Sequence, residues 1–139
     1  MSLATALAGF VVDASLGSWL GAMAFFSFVA APTTFRVLDD DAGRVVNAIF
    51  PTYYVVGVAL GALAVVAWAA LGALSAAPSL GVPAMALVGV LCHAYARWAL
   101  VPKMEAAGDD AFATYHKQSV GLNGVAILAV TLALLAAQF

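Results

Sequence analysis

VVNAIFPTYYVVGVALGALAVVAWAALGALSAAPSLGVPAMALVGVLCHAYA, residues 45–96, runs for 52 positions without a charged side chain. A helix crossing the hydrocarbon core of a bilayer needs about 20 apolar residues at roughly 1.5 Å each. The stretch is too long for one crossing and suits two. Its divider is Ala76-Ala77-Pro78-Ser79-Leu80-Gly81-Val82-Pro83, where two prolines and a glycine supply turn chemistry. On either side lie two shorter uncharged runs of 22 residues, 14–35 and 118–139, each long enough for one span. The runs do not alternate apolar with polar, which excludes a membrane β-barrel. Backbone groups in lipid must pair within their own segment, so these spans are helices. The expected architecture is all-α: an antiparallel up-down four-helix transmembrane bundle. Its spans fall near residues 6–34, 44–74, 83–106 and 111–137 of a single integral membrane domain, 1–139.

Composition agrees. Hydrophobic residues make up 65% of the chain and charged residues 9%, against about 25% charged in soluble domains. That excludes a water-covered enzyme or a disordered segment. A net charge of -2 lacks the basic footprint of a nucleic-acid binder. The lone Cys92 closes no intrachain disulfide and completes no zinc motif. The first twelve residues have no basic segment before Ala6-Leu7-Ala8, so they read as the outer end of the first helix rather than a cleaved signal.

The five basic residues set the orientation. Arg36 and Arg44 flank the first loop; Arg97, Lys103 and Lys117 flank the third. By the positive-inside rule these loops are cytoplasmic and both termini lie outside, in the cell membrane. Asp39-Asp40-Asp41 and Asp109-Asp110 are placed to cap the second and fourth helices. Pro83 suits a first turn. Pro51 and Pro102 fall inside helical patterns and are expected to kink them. Gly17-x-x-x-Gly21 and Gly57-x-x-x-Gly61 allow close helix approach. Packing within the bundle is the expected use of both, with a homo-oligomer or a membrane-protein partner as the alternative.

Chemistry-bearing residues gather toward the cytoplasmic end: Arg36, Asn47, Tyr54, Arg97, Lys103, Glu105, His116, Ser119 and Asn123. His116, Ser119 and Asn123 recur at helical spacing and share one face. Such a set can hold a lipid headgroup, an ion or a small solute between helices, or lock the bundle as a hydrogen-bond network. Phe35, Phe50, Tyr53, Tyr54, Trp98, Phe112 and Tyr115 form either an interfacial belt or an inward-facing aromatic cluster. His93 sits deepest, and a neutral imidazole bonded to a neighbouring helix is the expected state. Asp13 reads as a solvated carboxylate at the outer interface; a proton-coupled transporter built on Asp13 or His93 is a third reading. His93 and His116 differ in depth by roughly 10 Å, which argues against a bis-histidine haem. No nucleophile–base set, metal motif or phosphate loop is present. No catalytic residue, metal or cofactor is therefore expected, and the chain reads as a non-enzyme.

Several segments resemble the small membrane family typified by transmembrane protein 205. Trp19-Leu20-Gly21 leading to Phe35-Arg36-Val37-Leu38 is similar to its W-x-G…F-R-x-L stretch. Phe50-Pro51-Thr52-Tyr53-Tyr54 looks like F-P-x-Y. Ala96-Arg97-Trp98 with Pro102-Lys103 resembles A-R-W…P-[RK]. Phe112 through Ser119, with Asn123, is similar to F-x-x-Y-H-x-x-S…N. The third-helix segment departs by one extra residue before Pro102 and by Val101 in place of an acidic residue. The resemblance implies four spans and no defined reaction. Its motif residues converge on the same cytoplasmic face and so raise the cluster, whose expected ligand-binding residues are Arg36, Tyr54, Arg97, His116, Ser119 and Asn123, with Pro51 and Pro102 the kinks expected from proline inside helical patterns.

Overall fold

Four long helices run back and forth in the computed structural model, which describes residues 2–38, 41–74, 79–107 and 109–139. Helix α1 spans Leu3–Leu38, α2 Ala42–Leu74, α3 Gly81–Ala106 and α4 Asp109–Ala136. All four are long and apolar enough to cross a membrane, and the fold is the expected four-helix bundle. Asp39, Asp40, the divider residues 76–78 and the side chains of Asp109 and Asp110 lie outside the described residues. Asp41 is described, and it pairs with Arg44 at 3.0 Å on the surface. Pro83 falls in the first turn of α3.

Each helix packs on its neighbours in sequence, and α1 packs on α4 to close the ring. The buried positions explain this. In α2 they include Val46, Phe50, Tyr54, Gly57, Gly61, Ala64 and Trp68; in α1, Val12, Leu16, Trp19 and Met23. Steps of three and four residues make a continuous seam of the kind that joins helices crossing at shallow angles. The opposite faces stay apolar: Leu63, Val66, Leu91 and Leu128 are exposed. That is the surface of a protein solvated by lipid, where small residues and close packing, not water exclusion, hold helices together.

Glycine makes the tightest approach. The Trp19 indole is buried in a slot cut by Gly57, Gly61 and Gly89. A β-carbon at Gly57 would lie 2.6 Å from Trp19 Nε1, one at Gly61 2.6 Å from Cζ3, and one at Gly89 2.8 Å from Cη2. The expected intrabundle role therefore holds for Gly57 and Gly61. It fails for Gly17 and Gly21, where an added β-carbon would meet nothing within 4 Å.

Two helices carry a widened turn. Phe26–Ala30 in α1 and Ala96–Leu100 in α3 are π-helical, closed by the Ala31 N–H on the Phe26 carbonyl and the Val101 N–H on the Ala96 carbonyl. Each is followed, one residue later, by a proline: Pro32 and Pro102. A proline has no N–H to give and its ring crowds the carbonyl four residues back; a turn with one extra residue relieves that crowding. Pro102, expected to kink its helix, is preceded by a π turn. Pro51, in contrast, sits in an uninterrupted α-helix, and the second widened turn belongs to Pro32.

Two cores stack along the bundle. The half away from loops one and three is closed by Val12, Leu16, Trp19, Trp68, Ala86 and Val130, with Ser15 the buried polar side chain among them. There Trp68 Nε1 donates to the Ser79 carbonyl at 3.0 Å. The half nearer loops one and three is built from Val46, Phe50, Tyr54, Leu100, Val101 and Met104.

Candidate functional site

A cavity of about 150 Å³ opens among α1, α2 and α4 at the end of loops one and three. The π turn of α1 supplies Phe26 and Ser27, and the residues after it Ala31 and Phe35. Helix α2 supplies Val46, Phe50, Tyr53 and Tyr54. Helix α4 supplies His116, Ser119, Val120 and Asn123 at helical spacing. Four of the six site residues expected from the sequence therefore belong together: Tyr54, His116, Ser119 and Asn123.

Arg36 and Arg97 are not among them. Arg36 is exposed at the end of α1. Arg97 lies beside Pro51, Thr52, Val55 and Val56 on another side of α2, and its Nε is buried without a hydrogen-bond partner among the described residues. Helix α3 contributes nothing to the cavity wall. Asn47 and Glu105 line a separate small recess with Phe50 and Met104. Lys103 lies 5.9 Å from the centre of the Tyr115 ring, and Lys117 borders a lateral groove with Phe112. The cluster read from the sequence is one level of the bundle, divided among several faces.

Polar groups in the wall are tied to one another. Asn123 accepts from the Tyr53 hydroxyl through Oδ1 and donates to Ser27 Oγ at 2.9 Å through Nδ2. One amide thus joins α1, α2 and α4. Ser119 donates to the His116 carbonyl at 2.8 Å and is buried, as is Tyr54. The His116 ring stacks on Phe112, centres 5.9 Å apart, and tilts against Phe50 at 6.2 Å. Its Nδ1 is buried with no partner among the described residues. The aromatic cluster does turn inward at Phe50, Tyr53 and Tyr54; Trp98, 59% exposed, faces outward.

Below the cavity, His93 is 1% exposed. Its ring is held by Trp19, Tyr53 and Tyr54, with centres 5.3, 5.4 and 5.3 Å away, and by the bare backbone of Gly57. Neither ring nitrogen makes a hydrogen bond of good geometry among the described residues, and nor does Trp19 Nε1; Asn123 of the neighbouring α4 is the side chain within polar reach of the imidazole. Sequence spacing gave the depth of His93 but not this aromatic surround, nor Ser27, whose signal was a lone polar residue five before Pro32. Asp13 is exposed, as expected, and accepts from Gln138 Nε2 at 3.2 Å. No group of three or more His, Cys, Asp or Glu side chains suited to a metal occurs among the described residues.

Comparison with known proteins places residues 14–113 in the family described as Domain of unknown function (DUF4149). A protein of Aquifex aeolicus (strain VF5), described as an uncharacterized protein, is 35% identical over 123 residues, covering 86% of this chain and 87% of its own. No solved structure matches.

Proposed function

The chain belongs to the DUF4149 family, and from that premise we propose that it is a non-enzymatic multi-pass membrane protein that binds a small solute in the cavity between α1, α2 and α4. One observation carries the reading. The polar side chains of three helices converge on one cavity: Ser27, Tyr54, His116, Ser119 and Asn123. Polar groups at that depth are costly unless used, which makes them a functional site by default. The cavity opens at the end that carries all five basic residues, so binding is from the cytoplasmic side of the cell membrane. The ordered motif segments support kinship with the transmembrane protein 205 family, and four of their polar residues are cavity residues.

Native mass spectrometry of protein released from nanodiscs tests the reading. Wild type should retain a small-molecule adduct. Val120→Trp, which places a large ring at the exposed mouth of the cavity, should lose it while melting at an unchanged temperature. The same adducts on both proteins would sink the proposal.

A further inference from the structure

We infer that the cavity selects an uncharged, single-ring amphipath: one aromatic ring carrying one hydroxyl, as in a phenol. The inference rests on the reading of the cavity as a ligand site and adds the class of ligand. Size comes first. The volume is about 150 Å³, and an engineered apolar cavity of roughly 150 Å³ in another protein holds one benzene. A phospholipid headgroup with its glycerol is too large for that space.

The wall decides charge. Phe26, Phe50, Tyr53 and Tyr54 present rings, and Ser27 and Asn123 present neutral polar groups. None of the five Lys and Arg lines the cavity, although the sequence places all of them at this end. Apart from His116, no side chain in the wall can carry positive charge, so an anion would be buried without a fixed counter-charge, which membrane surroundings penalise heavily. The described carboxylates at this end, Asp41 and Glu105, lie outside the wall as well, so a cation has no partner ion. The ring faces are also taken. Phe26 and Tyr53 lie 4.8 Å apart, and Phe50 stacks on Tyr54 at 5.6 Å. These rings form a laminated wall that accepts a further ring in offset or edge contact.

The remaining bonding capacity decides the polar group. Asn123 has Tyr53 on its oxygen and Ser27 on its nitrogen, and the Ser119 hydroxyl is given to a backbone carbonyl. Ser27 is in the wall; its oxygen receives the Asn123 amide, and its own proton has no acceptor among the described residues. His116 Nδ1 is shut off from the cavity space and offers a ligand nothing. One hydroxyl proton makes one bond, and a ligand hydroxyl accepts it without bringing a charge.

The test is isothermal titration of protein in nanodiscs, with empty nanodiscs as the partition control. The probes are 4-ethylphenol, 4-ethylbenzoate as anion, benzyltrimethylammonium as cation, and ethylbenzene. We expect saturable binding of 4-ethylphenol, about tenfold tighter than any of the other three. Ser27→Ala leaves the ring wall in place and should remove about tenfold of that affinity, the size of one lost hydrogen bond. Val120→Trp should abolish it. If the benzoate or the ammonium binds as tightly as the phenol, and Val120→Trp abolishes that binding, the inference is overturned while the cavity remains a ligand site. Equal affinity for ethylbenzene, or no change in Ser27→Ala, overturns the hydroxyl assignment. If no probe shows binding that Val120→Trp removes, the cavity reading itself falls.

Discussion

Gly57 is the position where a single methyl group matters most. Its missing side chain is the space used by the edge of Trp19 and by the His93 imidazole, so an added β-carbon collides with both. Overpacking of this kind costs about 1–3 kcal/mol when the neighbours cannot move, and here they are rings wedged among other rings. Gly57→Ala should therefore lower the melting temperature in detergent, whereas Gly21→Ala, on an open face, should leave it unchanged. Equal melting of both variants would show that the slot is soft. Asn123 offers a second test. Asn123→Leu strands the Tyr53 hydroxyl and Ser27 Oγ, and a stranded buried polar group costs about 1–3 kcal/mol. Adding Tyr53→Phe should return part of that loss. If the two losses simply add, the bond between them contributes nothing.

The two widened turns share a cause, and removing it should show. Pro32→Ala supplies an N–H and frees the carbonyl four residues back, so the ladder of α1 can close as plain α-helix. Amides of residues 31–36 should then exchange more slowly with deuterium, and the cavity should lose affinity for its ligand because Phe26 and Ser27 sit in the turn that changes. Unchanged exchange would mean that the hydrogen bond of Ser27 with Asn123, not the proline, holds the turn open. These turns also mark where sequence reading stopped. Charge-free runs and the proline–glycine divider place all four helices, because crossing a bilayer imposes a length that composition must respect. Pro32, Pro51 and Pro102 look alike in the sequence, yet only two of them carry a widened turn. Depth was legible for the candidate site as well: Tyr54, His116, Ser119 and Asn123 do meet. Azimuth was not. Arg97 lies four residues after His93, which in a regular helix puts both on one face, but it falls inside the π turn, where that periodicity breaks.

Orientation in the membrane is a property of the complete bundle, and it is open to direct measurement. In a Cys92→Ala background, Ser79→Cys should react with a membrane-impermeant maleimide in intact cells expressing the protein. Ala107→Cys, at the opposite end, should react only after lysis. The reverse pattern would invert the topology derived from the basic residues. A bundle whose polar cavity occupies one half and whose other half is sealed by Leu16, Trp68 and Val130 also divides an electrical potential unequally. Voltage falls across the least polarisable material, so most of it drops across the sealed core. Carrying a unit charge through the full field is worth roughly 2.3 kcal/mol per 100 mV. A charge placed in the cavity would cross only the shallow part of that gradient, while His93 stands at the threshold where the steep part begins.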